Sequence, residues 1–292
     1  MDEYEKKYNS IQNNSIDTIE LAYDETIRKV SRILIGVSSA EMFLFSKHIA
    51  IDSKVNSYIR SQFLSINKMI EVNTSKAFDL SNLKNDNLTK KLFERHSVKV
   101  PKNIIYRNPD KLSEFLNKKI NGLTFSDRVW NLSGQFKSEL ESSISAASVK
   151  GISENQLAAE IKKYLKDPDV RFRRIRDKFG ELQPSKRQLS YNPGMGIYKS
   201  SQKNAVRLAR EVINSGMREA EFENFKNNPF VLAFDVRNTE RNVTTCKLCE
   251  QNAGRYPKTF HFPGWHVGCM CSSYPVFCSD SDFMSIYKSI FH

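Results

Sequence analysis

The sequence predicts an α+β fold: a mainly helical N-terminal region, then a helical domain that ends in a small β-hairpin. Three observations predict it. Apolar residues recur at helical spacing up to about residue 226, the period changes to two after Pro229, and all five cysteines fall between Cys246 and Cys278. The expected division is a helical arm with an irregular linker over 1–120 and a second domain over 121–292, its hairpin at about 230–278.

The first helix is read from Ile16, Ile19, Tyr23, Ile27, Val30, Leu34 and Val37, which share one face. Apolar stretches from Met42 to Ile51 and from Val55 to Val72 predict a helical hairpin or small bundle. From Asn73 to Gly122 the chain is rich in Asn, Lys and Ser with weak periodicity, which predicts a linker or irregular arm. Ser126 is the expected cap of a helix bearing Val129, Leu132, Phe136, Leu140 and Ile144. Ser153 and Gln156 form a capping box, opening a helix with Leu157, Ala158, Ile161 and Leu165 inward and Asp167-Pro168 at its end. A basic stretch from Arg171 to Asp177 leads to a loop closing on Asn192-Pro193-Gly194-Met195-Gly196. A long helix over about 200–226 turns Ala205, Leu208, Ala209, Val212, Ile213 and Ala220 inward, with Arg207, Arg210 and Arg218 facing solvent or a partner. Phe230, Leu232, Phe234 and Val236 then alternate with Val231, Ala233, Asp235 and Arg237, and a second strand runs from Cys271 to Phe277.

Composition narrows the function classes. Hydrophobic residues at 39% and charged residues at 27% describe a folding chain, not a disordered one. No apolar run approaches the roughly 18–20 residues that span a bilayer, and the N-terminus lacks the apolar core of a secretory signal. The net charge is +12, and the segment from Lys162 to Arg218 carries 15 basic residues against five acidic ones. That segment holds nearly all the excess, so it is a candidate contact for nucleic acid or an acidic protein partner through Arg171, Arg173, Arg174, Arg176, Lys186, Arg187, Lys203, Arg207 and Arg210.

The chemistry lies in the array Cys246-x2-Cys249-x16-His266-x2-Cys269-x-Cys271. Paired thiolate and imidazole ligands on two turns, joined by a loop of this length, match tetrahedral zinc. Five candidates (Cys246, Cys249, His266, Cys269, Cys271) compete for four positions, and the sequence leaves the choice open. Cys278 and His261 are expected spectators, and Tyr256, Pro257, Phe260, Phe262, Pro263 and Trp265 are expected to wrap the site. With ligands to spare and no H-E-x-x-H or H-x-E pairing, the zinc is expected to be structural. No Gly-rich phosphate loop, G-x-S-x-G or paired carboxylates nominate a catalytic site, so no enzyme is expected.

The tail Cys246-Lys247-Leu248-Cys249, Ala253 to Lys258, and Phe262-Pro263-Gly264-Trp265-His266-Val267-Gly268-Cys269-Met270-Cys271 resembles the C-terminal signature of phage Mu F-like minor head, or head-morphogenesis, proteins. The resemblance continues upstream through Arg128-Val129-Trp130, Ser153 to Leu165, Arg173 to Gly180, Asn192-Pro193-Gly194 and Arg207-Leu208-Ala209-Arg210, covering about residues 121–278. It departs at Glu211-Val212, where the family often has Thr-Glu, and at Val267, where it often has Pro. The resemblance implies a low-copy structural protein of a tailed-phage or prophage head, partnered by portal and capsid proteins and located in the virion after assembly in the host cytoplasm. Packaged DNA is added as a partner by the charge, not by the resemblance. The rival class is a zinc-containing nucleic-acid-binding or nuclease/toxin-like effector; a metal-free scaffolding factor is a third.

Overall fold

The computed structural model describes residues 3–34, 43–105, 110–147, 153–167, 174–176, 178–180, 182–184, 197–238, 246–266 and 268–291. These form eight helices: α1 (Glu3–Ile33), α2 (Ile49–Arg95), α3 (Asp110–Asn117), α4 (Phe125–Ala147), α5 (Glu154–Lys166), α6 (Ser201–Asn227), α7 (Lys247–Gln251) and α8 (Asp280–Phe291). The strands are β1 (Arg174–Arg176), β2 (Leu182–Pro184), β3 (Val231–Arg237), β4 (Gly254–Pro257) and β5 (Ser272–Phe277). The expected α+β character holds. The C-terminal hairpin is larger than expected, because β4 joins it to make a three-stranded antiparallel sheet in the order β4-β3-β5.

Packing divides the chain into two units, neither continuous in sequence. One comprises residues 1–13, 70–119 and 210–292; the other comprises 14–69 and 120–209. The expected boundary near residue 120 is one of the crossings, but residues 1–119 contribute to both units. The reason is the length of α1, α2 and α6, each of which supplies residues to both.

In the unit holding residues 14–69 and 120–209, the predicted stripe of α1 is buried at Ile19, Tyr23, Ile27, Val30 and Leu34, while Val37 lies outside the described residues. Tyr23 meets Phe136 of α4 edge-on at 4.6 Å between ring centroids, and Phe63 of α2 at 6.1 Å. The cap of α4 is Thr124, not Ser126: its hydroxyl accepts from the Asp127 N–H, and Asp127 returns the bond to the Thr124 N–H. The Ser153–Gln156 capping box forms as predicted, and all four inward residues of α5 are buried. Glu139 on α4 is buried and accepts from the backbone N–H and hydroxyl of Ser201, a carboxylate at the positive end of α6. Arg174 to Arg176, within the basic stretch, pairs as β1 with β2. The loop expected to close at Asn192–Gly196 lies outside the described residues.

The other unit corrects the linker expected from Asn73. Residues 73–95 continue α2, whose buried face here carries Thr74, Ser81, Asn82, Lys84, Asn85 and Thr89 among Ala77, Phe78, Leu92 and Phe93. A polar inner face hides the helical period from a count of apolar residues. Each of the polar groups traced across to α6 meets a partner there or just beyond it. Asn224 Nδ2 donates to Asn82 at 2.7 Å, Asn228 Nδ2 donates to Thr89 at 3.0 Å, and Lys84 lies 3.2 Å from Glu221. Gly216 of α6 sits against Thr74, where a Cβ would collide with the threonine methyl.

On β3, Phe234 and Val236 are buried as predicted, but Leu232 is exposed and Val231 is buried in its place. A register shift between Val231 and Ala233 in the pairing with β5 accounts for this, since one extra residue moves every side chain before it to the opposite face. The unpredicted α8 docks through Phe283 onto Phe93 and Phe230, with centroids 5.1 and 5.0 Å away, and Cys278 joins that cluster.

Lys84 and Glu221 are both buried, and the Lys84 ammonium also donates to the Ser273 carbonyl of β5 at 3.0 Å and lies 4.5 Å from the Tyr274 ring centre. Lys84→Met leaves a carboxylate buried without its cation. The expected loss is about 3–5 kcal/mol in urea unfolding, with most of it recovered in Lys84→Met/Glu221→Leu.

Candidate metal centre

The cluster is assembled by α7, the loop after β4 and the entry to β5. Cys246 precedes α7 and Cys249 lies within its single turn, so both sulfurs point the same way. After β4 the chain passes through Phe260–Trp265 to His266, and Cys269 N–H donates to the His266 carbonyl at 3.0 Å, closing the turn that carries the second ligand pair. Phe262, Tyr256, Phe260 and Trp265 pack around the cysteines with Phe225, Val231, Phe234 and Val236, so the expected aromatic wrapping is present.

Three neighbouring pairs among the predicted ligands lie near coordination spacing. His266 Nε2 is 3.4 Å from Cys246 Sγ and 3.2 Å from Cys249 Sγ, and Cys249 Sγ is 3.9 Å from Cys269 Sγ. Tetrahedral geometry with metal–sulfur bonds near 2.3 Å and metal–nitrogen bonds near 2.0 Å requires about 3.8 Å between sulfurs and about 3.6 Å between sulfur and nitrogen. The donors fall into two groups that share Cys249: Cys246 with Cys249 and His266, and Cys249 with Cys269 and Cys271. The five residues therefore fit a metal ion, with soft donors and no disulfide among them. Among the described residues, Cys278 and His261 belong to neither group.

Burial and hydrogen bonding set the thiols apart. Cys269 is pulled down to about 4, chiefly by the Cys271 thiol that donates to it, with the backbone N–H groups of Trp265 and Cys271 and the Arg218 cation adding to this. Cys271, donating to that thiolate and buried, is held protonated well above the ordinary thiol value. Burial pushes Cys249 up to about 11, whereas the Cys249 N–H lowers half-buried Cys246.

Three residues that serve this site were missed or misplaced by the sequence reading. Arg218, expected to face solvent or a partner, is 8% exposed and donates to the carbonyls of Cys269 and Pro263. Asn214 donates to the same Cys269 carbonyl at 3.3 Å, and Glu221 accepts from the Ser273 hydroxyl. Their signal in the sequence is a spacing of four and three residues on α6, a helical stripe that happens to be polar.

Of the basic residues expected at a polyanion contact, Lys203 and Arg210 are exposed on α6, and Arg207 is half-buried with its guanidinium 5.4 Å from the Tyr198 ring centre. Arg174 and Arg176 lie on β1, while Arg171, Arg173, Lys186 and Arg187 lie outside the described residues. Compared with protein-family models, with curated proteins and with solved structures, the chain has no match. No helix among the described residues is long and apolar enough to cross a membrane.

Because Cys249 belongs to both donor groups, Cys249→Ser should abolish stoichiometric binding of cobalt(II), followed by its thiolate charge-transfer absorbance. Cys278→Ser should leave binding unchanged. A separate pH dependence comes from Glu219, whose carboxyl is held below its ordinary 4.5 mainly by the His261 hydrogen bond at 3.0 Å, helped by Lys118 and Lys111. A carboxyl lowered on folding stabilises fully above its unfolded value, and that stabilisation is lost as pH falls through the folded value. Unfolding of the chelator-treated protein should therefore show stability falling below about pH 4.5, with a shallower fall in Glu219→Gln.

Proposed function

We propose that this chain is a structural minor head protein of a tailed phage or prophage, acting at the portal and capsid interior, with its C-terminal sheet closed by one structural zinc ion. The observation that carries the reading is the convergence of the Cys246–Cys271 array, the segment resembling the Mu F-like signature, into two donor groups, four thiols and one imidazole in all, that share Cys249. Zinc is favoured by donor chemistry, three to four thiolates with or without an imidazole. A structural role is favoured by surplus donors and by the lack of any Asp or Glu in the two groups among the described residues. A hydrolytic zinc keeps an open position and a general base beside it. An ion bound by the folded form alone would stabilise the sheet by about 10 kcal/mol.

In this reading the protein has no enzymatic activity. Its partners are portal and capsid proteins, and exposed Lys203 and Arg210 supply positive surface toward packaged DNA. The protein passes through the host cytoplasm during assembly and ends in the virion.

Two measurements test this. Electron cryomicroscopy and mass spectrometry of purified particles from the parent phage should find the chain in the head at the portal vertex; its absence from the particle overturns the proposal. Elemental analysis should give about one zinc per chain, and less than about half an equivalent counts against the site. Metal-dependent cleavage of DNA or RNA by the purified protein, abolished by chelator, would overturn the structural role in favour of an effector.

A further inference from the structure

Arg218 lies on the buried face of α6, and every polar partner it has among the described residues is a neutral carbonyl. Nη2 donates to Cys269 O at 2.7 Å and to Cys271 O at 3.5 Å, and Nη1 donates to Pro263 O at 3.1 Å. The guanidinium carbon sits 4.8 Å from the Phe262 ring centre. No carboxylate pairs with it among the described residues; the neighbouring Glu219 is engaged with His261 instead. Arginine does not shed its proton inside proteins, so this is a permanent buried cation with no carboxylate beside it among the described residues, and a buried cation needs negative charge nearby.

The anionic partner is the centre whose backbone Arg218 grips. A divalent ion held by three thiolates and a neutral imidazole carries a net charge of −1, and one held by four thiolates carries −2. Two thiolates with two neutral ligands would be uncharged and leave Arg218 uncompensated. The loop is shaped around this guanidinium: Gly264 has φ +94°, and a Cβ there would collide with Arg218 Nη1. Resting on the reading of the cluster as a metal centre, we infer that Arg218 is its built-in counter-cation and positioning residue, and that the bound ion takes at least three thiolates.

Cobalt(II) titration of the full-length chain, with competition against a chelator, tests this. Wild type should show charge-transfer absorbance of three or four thiolates, and Arg218→Met should weaken affinity about 10–100-fold. Arg218→Lys keeps the charge but loses the forked contact to three carbonyls, so it should recover part of that loss. Melting of the metal-free proteins separates this from a packing defect: the penalty of Arg218→Met should be larger with metal bound than without it. Wild-type affinity in Arg218→Met, absorbance of only two thiolates, or Arg218→Lys no better than Arg218→Met would overturn the inference while leaving the metal reading standing. Failure of the wild type to bind would overturn the metal reading itself. Where Arg218→Met does not fold, Gly264→Ala displaces the guanidinium without removing it; weakened binding supports the inference and unchanged binding overturns it.

Discussion

The C-terminal architecture depends on a polar stripe along α6. Asn214, Arg218 and Glu221 are buried at helical spacing, and they contact Cys269, Cys271 and Ser273 respectively, at their carbonyls or, for Ser273, at the hydroxyl. Asn214 and Arg218 share the Cys269 carbonyl. A helix face thus holds the ligand-bearing segment at Cys269, Cys271 and Ser273. Slipping that segment by one residue would leave buried donors on α6 without acceptors, and such donors are costly to strand.

The same logic extends to α2. Lys84 meets both Glu221 and the Ser273 carbonyl, so β5 is held by two helices at a single residue. Asn82 and Thr89 engage Asn224 and Asn228. Hydrophobic burial around Phe93, Phe230 and Phe283 supplies non-directional cohesion, while the polar pairs fix which residue faces which. Close approach at Gly216 brings the helices near enough for short side chains such as Asn and Thr to bridge the gap.

How legible this was depended on whether a residue's burial followed from its polarity. The stripes of α1, α4, α5 and α6 were apolar and were read correctly, as was the cap at Ser153. The continuation of α2 past Asn73 was not, because its inner face is built from Asn, Ser, Thr and Lys whose partners lie well over a hundred residues away. The same property hid Arg218. A count of charges treats every arginine as surface, and only a fold shows which one is enclosed by carbonyls. The bulge at Val231 was invisible for another reason: Val231 and Leu232 are equally apolar, so hydrophobicity could not say which faces inward. The metal candidates were the most legible element, since ligand chemistry restricts both residue type and spacing.

These contacts alter what the metal cluster means for stability. An isolated zinc finger is unfolded without its ion because it has no other core. Here the strand leaving the cluster is held at Ser273 by Lys84 and Glu221, and the cysteines pack among Phe225, Phe234 and Phe262 as small apolar groups. Those contacts do not require the ion. A bound ion would add a link between α7, which carries Cys246 and Cys249, and the segment carrying His266, Cys269 and Cys271, which Arg218 already holds at Pro263 and Cys269. A bound ion would therefore clasp α7 onto a sheet whose edge strand β5 is already secured by α2 and α6. Helix contacts set the position of Cys269 and Cys271, and a bound ion would draw the first ligand pair toward them.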